Sequence, residues 1–239
     1  MPARVLAALV ALIGLTATAP AQESTETSLL AKVDHLVYAT PDLKVGIDAI
    51  EKLLGVRKTP GGPHPGLGTR NALVALGPAS YLEIIGPDPD QPKLAGPRRF
   101  GIDALEAPTL LTWVAKGTEL ETVVDRARQR GVMLGPVIAG SRQRPDGVML
   151  SWRYTDPNVV VAERLVPYFI DWGRSPHPSL TATKGALLVA LRAEHPGAEG
   201  VRKMLRDINL DLPVQTGPKP KLIATIDCPK GRVQLRGTP

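Results

Sequence analysis

The order strand, helix, strand, strand, strand recurs three times along this 239-residue chain. An internal repeat of this kind restricts the fold more than any single segment does. In the first pass residues 33–39 read as a strand. Leu43, Ile47, Ile50, Leu53 and Leu54 follow at helical spacing. Short strands are expected from Gly55, over residues 70–76 and over residues 81–85, with the Pro/Gly-dense stretch 59–68 read as a loop. The second pass has a strand at 109–115, a helix at 118–130, and strands near 135–141, 148–154 and 159–166. The third has a strand at 185–192, a helix at 197–208, and strands near 213–216, 221–227 and 232–236. Aligning the helix starts sets Thr112 and Leu187 opposite His35; aligning the last strands sets Glu163 and Gln234 opposite Glu83. The paired positions are then 48, 51 and 47 residues apart, nearly equal. The expectation is an α+β fold of three βαβββ modules over residues 32–90, 105–170 and 184–239, with a linker at 171–183.

The segments outside these modules have their own signature. Residues 1–21 carry a basic start, an apolar run from Val5 to Leu15 and a small-x-small site at Ala19-Pro20-Ala21, the pattern of a secretory signal peptide. Residues 22–31 read as a flexible leader. The expected destination is secreted or periplasmic, with no membrane span, because no later run nears the roughly 20 apolar residues a spanning helix needs. The lone Cys228 excludes an intramolecular disulfide, so a packed core must hold the fold. The net charge of +6 is scattered, with no basic stripe interleaved with aromatics, which argues against a nucleic-acid partner.

Chemistry-bearing side chains follow from strand alternation. His35 shares a face with Val33, Val37 and Ala39, and Glu83 with Tyr81 and Ile85. A polar group on an apolar face needs a partner or a metal. His64 stands in the loop GGPHPGLGTRN, where binding residues often gather. Arg70 could fork onto an anionic oxygen and Asn71 could orient a ligand, or Arg70 could pair with a nearby acid. The segment PYFIDWGRSPHP concentrates aromatics with Asp171, Trp172 and His177. It either walls a pocket or seals a module junction. One of Trp152 and Arg153 should face inward, and His195 reads as a turn residue. No serine has a nucleophile-elbow context and the glycine-rich loop lacks a P-loop lysine, which discounts serine-triad and nucleotide chemistry.

With VDHLVYATPDL, HPGLGTRNALVALG and YLEIIGPDP, the chain resembles the glyoxalase-like domain family of the vicinal oxygen chelate superfamily. The resemblance implies that two modules pair into a cupped sheet holding a divalent metal, Zn, Mn, Ni or Fe. His35, Glu83 and Glu163 would be its ligands, and Glu83 or Glu163 would move protons. Thr112 departs from this pattern, standing where the superfamily commonly has histidine or glutamine. The implied function is binding of a small oxygen-bearing molecule, with metal-assisted isomerase, lyase or dioxygenase-type chemistry. The alternative is a non-catalytic sequestering protein of the same fold. Substrate contacts would come from His64, Arg70, Asn71, Trp152, Asp171, Trp172 and His177. The third module, without an internal partner, is free to cover a sheet edge or to pair with a second copy as a homodimer.

Overall fold

The computed structural model describes residues 25–144 and 146–238; the expected signal segment lies outside them. Three modules follow one another in the expected element order. The first comprises β1 (Val33–Ala39), α2 (Leu43–Leu54), β2 (Thr59–His64), β3 (Thr69–Ala75) and β4 (Tyr81–Pro87), preceded by α1 (Thr25–Lys32). The second comprises β5 (Thr109–Lys116), α3 (Leu120–Gln129), β6 (Val137–Gln143), β7 (Met149–Thr155) and β8 (Tyr168–Asp171). The third comprises β9 (Leu187–His195), α4 (Ala198–Asp207), β10 (Val214–Thr216), β11 (Lys221–Cys228) and β12 (Gly231–Gly237).

Local chemistry sets the joints. Asp42 caps α2, accepting from the backbone N–H groups of Lys44 and Val45 at 2.8 and 3.1 Å, and Gly55 ends that helix in the left-handed region at φ 70°. Three expectations are corrected. Part of the expected flexible leader is helix α1, because Leu29 is buried in the main core and so fixes the segment. The Pro/Gly stretch expected as loop contains β2, an edge strand, where Pro60 and Pro63 are tolerated because only one side must donate ladder bonds. The last strand of the second module is β8, not residues 159–166, which turn through Ala162, Glu163 and Arg164 at positive φ.

The first two modules form one sheet of eight strands in the order β2-β3-β4-β1-β5-β8-β7-β6. β1 and β5 run antiparallel at its centre, each flanked by a parallel strand, β4 and β8. The sheet curls until its edges nearly meet: the Arg142 guanidinium on β6 donates to the Gly61 carbonyl on β2. Its inner face carries a small apolar cluster around Val37, Ile85, Phe100 and Ile170. Its outer face buries Leu36, Leu82 and Trp113 against the helices.

The third module repeats the element order but not the pairing. Its sheet runs β10-β9-β11-β12, so β12 pairs only with β11, and Gln234 pairs with Thr225 and not, as Glu83 does, with its module's first strand. This sheet packs on the outer face, where Leu188, Leu191 and Ala224 join the core of Leu36 and Trp113. The Leu188 N–H donates to the Leu76 carbonyl at 2.9 Å. The third module therefore packs on the other two, as one of its two expected roles had it, but across their outer face. No helix among the described residues is long and apolar enough to cross a membrane.

Candidate functional site

The site begins with an irregularity in β1. Val33 pairs with Ala115 and His35 with Val114, leaving Asp34 as the extra residue of a β-bulge. A bulge shifts the alternation of everything before it. Val33 consequently joins the outer core instead of sharing a face with His35, and Asp34 turns its carboxylate to the imidazole. Asp34 is 1 % exposed, and its carboxylate lies 2.7 Å from His35 Nδ1 and 3.2 Å from His177 Nε2, while Trp172 Nε1 donates to it at 3.2 Å. Burial alone would raise the pKa of this acid, but the hydrogen bonds from His177 and His35 outweigh it and hold the value at about 2.

A carboxylate so firmly ionised can only accept, so His35 Nδ1 carries a proton and Nε2 is the nitrogen that faces the cup. The Tyr81 ring stacks on the imidazole at 4.5 Å and 18° and fixes its plane. Around Nε2 stand the Tyr168 hydroxyl at 3.4 Å and Glu83 Oε2 at 3.8 Å. His35 and Glu83, 48 residues apart in sequence, do converge inside the cup.

Glu83 is held from its other side. Asn71 Nδ2 donates to Oε1 at 2.6 Å, and His64 Nε2 lies 3.7 Å from the same oxygen. A second bulge permits this: Pro60 pairs with Ala72 and Gly62 with Asn71, so Gly61 is extra. A Cβ at Gly61 would sit 1.8 Å from Asn71 Oδ1, and glycine therefore makes the room in which the amide reaches Glu83. Burial drives the His64 pKa down to about 4; Glu83 opposes the shift, and the Arg142 and Arg99 guanidinium groups reinforce it.

The second module and the 88–108 connection close the cup. Tyr168 on β8 pairs with Val114 as Glu83 on β4 pairs with Val37, so tyrosine occupies the position expected for Glu163. Burial raises the Tyr168 pKa well above its usual value, so the phenol keeps its proton. Trp152 and Tyr154 face inward from β7, while Arg153 faces outward and pairs with Glu121. The connection contributes Arg99, which donates to the Tyr154 hydroxyl at 2.7 Å, and Phe100, held inward at φ 66°. The cavity has a volume of about 60 Å³ and opens to the surface.

Of the residues expected from sequence, His35, His64, Asn71, Glu83, Trp152 and Trp172 line this cavity. The others do not. Arg70 turns outward to Asp88 and Asp90 at 3.4 and 3.0 Å, because it alternates with Asn71 on β3. Asp171 accepts from the Gly173 N–H at 2.8 Å and shapes the turn after β8. His177 sits behind Asp34, its Nδ1 accepting from the Ser179 N–H at 3.2 Å. Glu163 is on the turn before β8, 2.8 Å from His195 of the third module. Asp34, Arg99, Phe100 and Arg142 escaped the sequence reading. Asp34 and Arg142 look like outward residues until bulge and curl are known, and the connection reads as spacer by composition.

The expected metal set does not fit this donor arrangement. Glu163 is committed elsewhere, and the second module offers Thr112 and Tyr168 at the matching positions. The Thr112 hydroxyl is spent on the Arg164 carbonyl at 2.9 Å. Among the described residues no three His, Cys, Asp or Glu side chains group as metal ligands.

Comparison with known proteins agrees with this architecture. Residues 33–208 match a family model described as a glyoxalase-like domain. A hypothetical protein from Staphylococcus aureus shares the fold at a TM-score of 0.57 and 15 % identity, over 86 % of this chain and 84 % of its own. Methylmalonyl-CoA epimerase from Mycobacterium tuberculosis aligns at a TM-score of 0.40 and 21 % identity, over 67 % of this chain and 97 % of its own. No curated protein sequence matches. With a family model spanning most of its length and a curled sheet built from two paired βαβββ modules, the chain belongs to the glyoxalase-like domain family and has the vicinal oxygen chelate fold.

Proposed function

We propose that the cup binds a small oxygen-bearing molecule and moves a proton on it, in the manner of an isomerase or lyase. The single observation that carries this reading is the Asp34–His35 pair: a buried carboxylate holds the imidazole through Nδ1 and aims Nε2, with the Tyr168 hydroxyl beside it, into the cup. Such a nitrogen is a general base with its orientation already set. It takes a proton from a carbon next to a carbonyl or carboxyl group. The C–H electron pair moves into the substrate oxygen, and Asp34 stabilises the imidazolium that forms. The Tyr168 phenol, kept protonated, donates to the oxygen on which charge develops. The imidazolium then gives up that proton through Glu83, 3.8 Å away and steadied by Asn71, to a neighbouring atom of the intermediate, which is what an isomerisation requires.

The test is solvent-deuterium incorporation into 2-oxo and 2-hydroxy acids followed by NMR. Wild-type protein is expected to exchange the α-hydrogen. His35→Gln should lower the rate by about 10²–10⁴-fold, the usual worth of a positioned base, without loss of ligand binding. Tight binding with no exchange in any compound would replace this reading with sequestration. We also propose that residues 1–21 direct export, so a secreted product should begin at Gln22 on N-terminal sequencing; a product retaining Met1 would refute it.

A further inference from the structure

The cup carries two guanidinium groups that no carboxylate pairs directly, although the charge of Glu83 on the same cavity reaches Arg142. Arg142 is 5 % exposed and Arg99 is half-buried, and both line the cavity. Arg142 donates to the Gly61 carbonyl, and Arg99 donates to the Tyr154 hydroxyl with its guanidinium 5.0 Å over that ring. Both partners are neutral. Among the described residues neither guanidinium has a carboxylate within 4.0 Å, whereas the nearby Arg98, Arg144 and Arg153 are all ion-paired. A guanidinium carries five N–H donors in a flat fork that matches a carboxylate, and a buried cation left unpaired is costly. Against Gly61, whose carbonyl accepts from Arg142, the buried Asn71 Oδ1 has no hydrogen-bond partner. It is an acceptor, because its amide nitrogen is committed to Glu83. The cavity therefore offers guanidinium donors and, near the Arg142 end, a bare acceptor.

Size narrows the choice. One water position takes roughly 10–15 Å³, so a cavity of about 60 Å³ holds on the order of four to six non-hydrogen atoms. We infer that the ligand is a two- or three-carbon hydroxy acid, its carboxylate on Arg99 and Arg142 and its hydroxyl donating to Asn71 Oδ1. This deepens the proton-transfer reading and rests on it for the chemistry: the carbon bearing the hydroxyl is the one beside His35. Binding itself does not depend on that reading.

The probes are glycolate, acetate, glycolamide and inorganic phosphate, titrated against the full chain and followed by the fluorescence of Trp152 and Trp172, both of which border the cavity. Glycolate is expected to bind at least about tenfold more tightly than each of the other three, the scale of a charge-assisted hydrogen bond. Arg142→Gln and, on the half-exposed connection, Arg99→Gln should each weaken glycolate by a similar factor and leave glycolamide unchanged. If Arg142→Gln does not fold, Arg99→Gln alone decides. Equal affinity for glycolamide would remove the carboxylate assignment, equal affinity for acetate the hydroxyl contact at Asn71, and equal affinity for phosphate the carbon-acid class; any of these overturns the inference. Glycolate binding with no deuterium exchange would instead uphold the ligand class and defeat the proton-transfer reading. Exchange indifferent to both arginine substitutions would do the reverse.

Discussion

At the scale of single residues, His64 shows how burial sets charge. Its ring contacts Thr69 Oγ1 at 2.9 Å and faces Glu83, yet burial dominates and its pKa falls from 6.5 to about 4. The unfolded chain takes up this proton near pH 6.5, whereas the folded chain refuses it until pH about 4. Stability is therefore complete above the first value, declines as pH falls between the two, and levels off below the second. At about 1.4 kcal/mol per pKa unit the loss is on the order of 3 kcal/mol. Urea unfolding across this window should show the decline in wild-type protein and a flatter profile in His64→Gln. A wild-type profile without slope there would contradict the burial argument. The alternation rule gave His35 and Glu83 their inward direction directly from sequence, and left Arg70 and Asn71 both as contacts until the structure chose Asn71. It could not give Asp34, whose inward turn depends on a slipped ladder, nor the neutral state of His64, which depends on what covers it.

At the scale of elements, the bulges at Asp34 and Gly61 do most of the aiming. β1 and β5 carry theirs at matching positions, Asp34 and Leu111, so the repeat reproduces the backbone device while the chemistry stays in the first module. The second module's counterparts, Leu111 and Thr112, give an apolar contact and a hydroxyl tied to main chain. The Gly61 bulge can be tested alone. Gly61→Ala would push the Asn71 amide off Glu83 and should cost about 1–3 kcal/mol, as overpacking does. In an Asn71→Ala background most of that cost should vanish, because the displaced atoms Oδ1 and Cγ are gone. Chemical unfolding of the two single variants and the double variant measures the coupling; strictly additive effects would mean that the bulge and the amide are unrelated. The same element-level view explains the misplaced Glu163. Equal spacing located the end of the second module to within a few residues, but the turn at residues 162–164 delays the strand to Tyr168. A delay of five positions replaces a carboxylate with a phenol.

At the scale of the whole molecule, three copies of one element order have two fates. The first two pair through β1 and β5 into a curled sheet whose edges meet at Arg142 and Gly61. The third builds its own sheet and covers the outer face of the first. What the sequence determined by itself was the periodic content: which stretches alternate as strands, which turn as helices, that the order recurs, and that an imidazole and a carboxylate point the same way in the first module. Those properties are local, set by side-chain spacing along a chain of fixed geometry. Only the tertiary structure decided that the third module packs inside the molecule, that Arg99 and Arg142 reach the cup, and that Tyr168 and Thr112 stand where metal-binding side chains were expected. These depend on strand register and sheet curvature, and both arise from contacts between residues far apart in the chain, where a shift of one position exchanges inside for outside.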